Sequence, residues 1–346
     1  MTTTLLLLTL TSFGGHGAQG TGFMDAKESY PYGSSYFSEF VNASFQSQAG
    51  ADQFYKWVDQ TIPQKYHYPA VGSVKSFANL EQFLDAEKPD IASSTGQARA
   101  KKERKLAIWL HRMVKKIMPN FDLDTGFEFK NSVAHGQRQC FLQSVFIASC
   151  LQRAGVESGV TMVNRNILGQ ETNNKHAVCL TRLANGEDVI VDDSEDYAFA
   201  KQQGLFANST SGYKFVKPVY DGDFAIKSFA GYSNGESIPL ASVKPMPRAF
   251  IASQFDYYRG ERTVGGVMYK RKTAVGLQKA GEFLAKSVSE DPSNSLSQYM
   301  LGRVFMYRNQ MTPAARSLDR ALKLYDAQGW IPPDERMAQS KAHRYS

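Results

Sequence analysis

Three features of the sequence predict an α+β protein: an apolar helical stretch that starts at a cysteine, a hairpin built around Asn-Gly, and a late helical segment of repeating character. In the first, Phe141, Val145, Ala148 and Leu151 recur at three- and four-residue spacing, and Gly155 supplies a stop signal. The spacing predicts a buried helix that begins near Cys140. A thiol at a helix start meets unpaired N–H groups and the positive end of the helix dipole, which favour its nucleophilic form. In the second feature, the runs Lys175 to Leu183 and Glu187 to Asp193 flank Ala184-Asn185-Gly186. His176 and the pair Asp192/Asp193 therefore fall on adjacent antiparallel strands. The turn decides which aspartate shares the histidine's face, because side chains alternate. A two-residue Asn-Gly turn selects Asp193; a three-residue loop with Gly186 in the left-handed region selects Asp192.

Gly136-x-x-x-Cys140 at a helix start, His176 opening a strand and Asp192 ending the next, in that order, resemble the transglutaminase-like core of the papain-like cysteine enzymes. The resemblance covers roughly residues 100 to 200. It implies a Cys-bearing helix packed on an antiparallel sheet, with Cys140 as nucleophile, His176 as its base and Asp192 as the residue that orients the histidine. Asp192 is preferred to Asp193 because the family's aspartate falls six residues after the turn glycine, here Gly186. Val178 and Phe141 stand where the family often carries an aromatic residue and a tryptophan, departures that bear more on transamidation than on fold.

A thiol enzyme also needs oxyanion donors. The Cys140 backbone N–H is one, and Gln137 or Gln139 is the candidate for a second. The expected activity is hydrolysis of amide bonds in a peptide or protein, since water is always available and no acceptor-amine site is legible. The alternative is an inactive scaffold of the same fold that binds a partner protein through its repeats, a pairing of domains familiar among bacterial proteins. No cofactor or metal is expected. Asp192 to Asp196 is acidic but lacks the glycine and spaced oxygen ligands of a calcium loop.

The 346-residue chain carries a formal charge of +7, and this modest excess reads as solubility, with no nucleic-acid partner. The cysteines at 140, 150 and 179 match neither a metal cluster nor a disulfide framework, and Cys150 and Cys179 read as core residues.

Along the chain, residues 1–20 hold a short leucine-rich run ending in small residues, the pattern of a secretory signal and too short to span a bilayer. A secreted or periplasmic location is expected, otherwise a cytoplasmic one. Residues 21–95 read as an N-terminal helical arm, with helices around Phe54 and Trp57 ended by Ile62-Pro63, and around Leu80 and Phe83 ended by Lys88-Pro89. Residues 96–245 form the core unit. It opens with a helix to about Met118 whose stripe is Ala107, Leu110, Val114 and Ile117, and whose other face is basic. A strand over 158–163, a polar loop over 164–174 and short strand-like runs at 213–216 and 224–226 follow. In residues 246–346, Tyr299, Gly302, Phe305, Ala314, Leu318 and Ala321 resemble a tetratricopeptide repeat, and a 34-residue shift finds Ala280, Leu284, Ser287 and Pro292 in matching places. So few repeats are expected to cap the adjoining domain.

Overall fold

The computed structural model describes residues 22–344, so the expected secretory signal lies outside the described residues. Among the described residues helix makes up 51% and strand 17%, because the one large sheet occupies the central third while helices precede and follow it. The arm consists of α1 (Ser35–Phe45), α2 (Gly50–Lys65) and α3 (Leu80–Ala92), and the long α4 (Gly96–Ile117) opens the core unit. Ser34 and Asn79 cap α1 and α3, each side-chain oxygen accepting an N–H three residues on. Pro63 and Pro89 do not end their helices as expected. Each removes only its own donor, and the ladder continues where Tyr66 N–H donates to Ile62 O at 2.8 Å and Ser93 N–H to Pro89 O at 2.9 Å.

Next come β1 (Asn120–Phe121), α5 (Phe129–His135), β2 (Gln137–Arg138) and α6 (Cys140–Arg153). The α6 helix is buried over 140–151 on every side, which its near-continuous apolar sequence requires. It packs between α3 and α4 on one flank and the sheet on the other.

The sheet is formed by β3 (Glu157–Arg165), β4 (Glu171–Arg182), β5 (Asp188–Val191), β6 (Gly204–Ser209), β7 (Lys214–Tyr220) and β8 (Ile226–Gly231), with β9 (Ser237–Ile238) and β10 (Val243–Lys244) at its margins. All neighbours are antiparallel. Because β6 pairs with both β3 and β7, the six longer strands close into a barrel. Its interior is a separate core of Val163, Val178, Leu180, Ile190, Leu205 and Phe229, whereas Ala177 and Cys179 of β4 face the larger core around α6. The polar segment expected as a loop over 164–174 is mostly strand: β3 runs on to Arg165, β4 begins at Glu171, and only 166–170 turn.

The tail forms two helical hairpins, α7 (Arg248–Glu261) with α8 (Ala274–Glu290) and α9 (Ser295–Tyr307) with α10 (Met311–Gln328), followed by α11 (Pro333–Arg344). Each hairpin closes over a glycine: a Cβ on Gly260 would lie 2.6 Å from Leu284 Cγ, and one on Gly302 2.7 Å from Leu318 Cγ. The tail is not a separate body, since Phe255 and Tyr258 of α7 set their rings 4.9 and 5.6 Å from that of Phe141 in α6.

Candidate active site

The position of Cys140 follows from the local chain. Gly136, at φ 62°, ends α5 in the left-handed region. Two residues of strand follow, and Gln139 then caps α6, its Oε1 accepting the Phe141 N–H at 2.9 Å. Cys140 is thus the first residue of a buried helix, 5% exposed.

The hairpin brings the histidine to an aspartate. Leu183 N–H donates to Glu187 O at 2.8 Å and Gly186, at φ 86°, donates to Leu183 O at 2.9 Å, so the loop has three residues. The register pairs Cys179 with Val191, which carries Asp192 to the face of Val178 and His176 at the barrel rim. His176 Nε2 donates to Asp192 Oδ2 at 2.8 Å. The carboxylate is held further by Gln202 Nε2, which donates at 2.6 Å, and by the Ser194 N–H, at 3.0 Å. The Cys140 thiol is close enough to the ring to act on its charge.

Burial alone would push the His176 imidazole down; the adjacent Asp192 carboxylate overrides it, with Cys140 adding, and holds the ring well above its usual range. For Asp192, burial pushes up, but the His176 charge and hydrogen bond, Ser194 and Gln202 hold it below the usual carboxylate range. The two form an ion pair whose histidine is 22% exposed and whose aspartate is sealed from solvent.

The other candidates divide. Asp193 points away from His176 into the body of the protein, 3.7 Å from His111 Nε2 and without a hydrogen-bond partner for either oxygen. Burial pushes its carboxyl well above the usual range. Gln137 is committed to a turn, its amide donating to Asp122 Oδ2 at 3.3 Å and its carbonyl accepting from Thr125 at 3.1 Å. Gln139 keeps a buried Nε2 with no partner beside the nucleophile. Cys150 is fully buried, and Cys179, bonded to Ser158 Oγ at 2.7 Å, is pushed up to about 11 by burial.

Three further residues join the site that no sequence signal marks. Gln202 comes from the segment before β6. Tyr258 comes from α7: its ring packs on Phe141, its hydroxyl is buried without a partner, and burial together with the nearby Cys140 thiol raises its pKa. Arg262 places its guanidinium 4.5 Å over the Tyr258 ring, with one nitrogen, Nη1, buried and unpartnered. Only the Tyr257-Tyr258 doublet in an apolar run could have drawn attention.

Among the described residues no group of three or more His, Cys, Asp or Glu is placed to hold a metal ion, and no helix is long and apolar enough to cross a membrane. Comparisons with protein-family models, with curated proteins and with solved structures each return no match.

Proposed function

We propose that the chain is a transglutaminase-like thiol enzyme that hydrolyses amide bonds of a peptide or protein, with a tetratricopeptide-like tail. The observation that carries the reading is the hydrogen-bonded series Gln202, Asp192, His176, ending at a cysteine on a helix N-terminus. In the mechanism, His176 already holds the proton given up by Cys140, and the sulfur attacks the carbonyl carbon. The tetrahedral oxyanion is met by the Cys140 N–H and by two buried donors that otherwise lack partners, Gln139 Nε2 and Tyr258 Oη. The His176 imidazolium protonates the leaving nitrogen as the C–N bond breaks, giving a thioester. Water, deprotonated by His176, then releases the acid and restores the thiolate. Asp192 keeps the imidazole in one orientation and stabilises its cationic form.

A second reading, an inactive scaffold that binds a protein through its helical tail, draws on the low exposure of Cys140. Alkylation by iodoacetamide, mapped by peptide mass, separates the two. In an enzyme, Cys140 reacts faster than Cys150 and Cys179, and His176→Ala slows it at least tenfold. Equal slow reaction of all three thiols would favour the scaffold.

A further inference from the structure

Three residues before His176 on β4, Asn173 lines a cavity of about 320 Å³ whose other walls come from the helical tail. Four acids, Glu171, Glu261, Asp334 and Glu335, border it against a single base, Arg303. Arg303 is already engaged: its guanidinium lies 5.7 Å over the Tyr299 ring and 6.0 Å over that of Tyr307, and donates to the Tyr307 hydroxyl at 3.4 Å. Glu261 is engaged too, accepting from Tyr257 Oη at 2.9 Å and from Arg262 Nε at 3.3 Å.

Glu335 is different. It is 1% exposed, its Oε1 accepts from Asn173 Nδ2 at 2.5 Å, and its Oε2 has no hydrogen-bond partner. A buried carboxyl left half-satisfied is costly, and this one responds by holding its proton, burial pushing it up to about 9. A cation entering the cavity would displace that proton to solvent and pair with the carboxylate. The walls suit the rest of such a group: Leu296 and Met300 line the cavity with apolar side chains beside which an aliphatic stem could lie, and Tyr257, Tyr299 and Trp330 line it with aromatic ones.

We infer that this cavity is a subsite for a basic side chain, lysine or arginine, of a peptide. Its place in substrate recognition rests on the thiol-enzyme reading. The cavity and His176 lie on the same strand, β4, on either side of the register shift that follows Val163. The enzyme would therefore select a basic residue at one position on one side of the scissile amide.

The test uses the full chain and two small probes. Calorimetric titration with n-butylammonium should give saturable binding, while n-butanol, of the same shape and uncharged, should give none at the same concentrations. Glu335→Gln should weaken n-butylammonium binding at least tenfold, and Cys140→Ala should leave it unchanged. Equal binding of the two probes, no binding of either, or full binding by Glu335→Gln would each overturn the site, whatever the thiol does. In a second arm, fluorogenic peptide amides carry lysine or norleucine at each position in turn on either side of the scissile amide; at one position the lysine peptide should be cleaved at least tenfold faster than its norleucine counterpart, and Glu335→Gln should abolish the difference. If n-butylammonium binds through Glu335 but no peptide is cleaved, the enzymatic reading falls while the cation site stands. If lysine and norleucine peptides are cleaved equally at every position, the subsite assignment falls and the enzyme stands.

Discussion

Two histidine–aspartate pairs sit back to back at the end of β5, and they are electrostatic opposites. His176 and Asp192 meet at 2.8 Å at the barrel rim, with the imidazole held up and the carboxylate held down, so both are charged. One residue further along, Asp193 stands 3.7 Å from His111. There burial pushes the carboxyl up, against the nearby Lys115 and Arg138 charges, and pushes the imidazole down, so burial disfavours the charged form of each. The residue types are the same and the aspartates are neighbours. What differs is hydrogen bonding: Asp192 accepts from a histidine, a glutamine and a backbone N–H, while the Asp193 oxygens have no hydrogen-bond partner and the His111 ring nitrogen is 3.1 Å from the Glu195 carbonyl. A buried carboxylate keeps its charge only where donors converge on it.

The widest separation between the pairs should appear in turnover. Asp192→Asn is expected to lower amide hydrolysis by about 10² to 10⁴, since it removes the charge that holds the imidazolium, whereas Asp193→Asn should change it less than threefold. Equal losses in a kinetic comparison of the two variants would erase the contrast.

Tyr258→Phe is expected to lower kcat by roughly 10-fold to 10²-fold, the range for loss of one oxyanion donor or somewhat less. Its ring packing on Phe141 remains, so circular dichroism and alkylation of Cys140, a displacement that develops no oxyanion, should not change. An unchanged kcat would remove Tyr258 from the mechanism.

The pairs should also differ in how they link stability to pH. The depressed Asp192 contributes stability that is present above the unfolded value near 4 and lost as pH falls through its folded value. The raised His176 contributes stability that is full below about 6.5 and lost as pH rises through its folded value. Asp193, whose folded form keeps a proton that the unfolded chain gives up, makes the protein less stable as pH rises above about 4. Thermal melts across pH should therefore show Asp193→Asn raising Tm at neutral pH and Asp192→Asn lowering it; a drop in both would mean that the buried carboxyl is ionised. The smallest effect is expected from Gly186→Ala. A side chain at φ 86° strains the three-residue loop by about 1 kcal/mol, lowering Tm by a few degrees with turnover nearly intact.

The sequence was most legible where one pattern governs one element. The spacing from Phe141 to Leu151 marks α6 and its start, and Asn185-Gly186 marks the hairpin. It left Asp192 and Asp193 open from the residues alone, because the choice depends on a backbone angle at Gly186 that the dipeptide does not dictate. Barrel closure was illegible since β6, β7 and β8 are short and join the rest of the sheet through residues far apart in sequence, Met162 with Phe206 and Asp188 with Ile226. Pro63 and Pro89 misled because a proline near a helix end forfeits little. Gln202 and Tyr258 reach the site only through tertiary packing, which no local pattern encodes.

The contact of Phe141 with Phe255 and Tyr258 also orders events in time. The ribosome delivers the cysteine-bearing helix and the whole barrel before it delivers the helix that completes the aromatic cluster beside the thiol. A nascent or truncated chain lacking that helix holds its sulfur in an unfinished setting, so the surroundings of the thiol are completed only well after its own helix has been made.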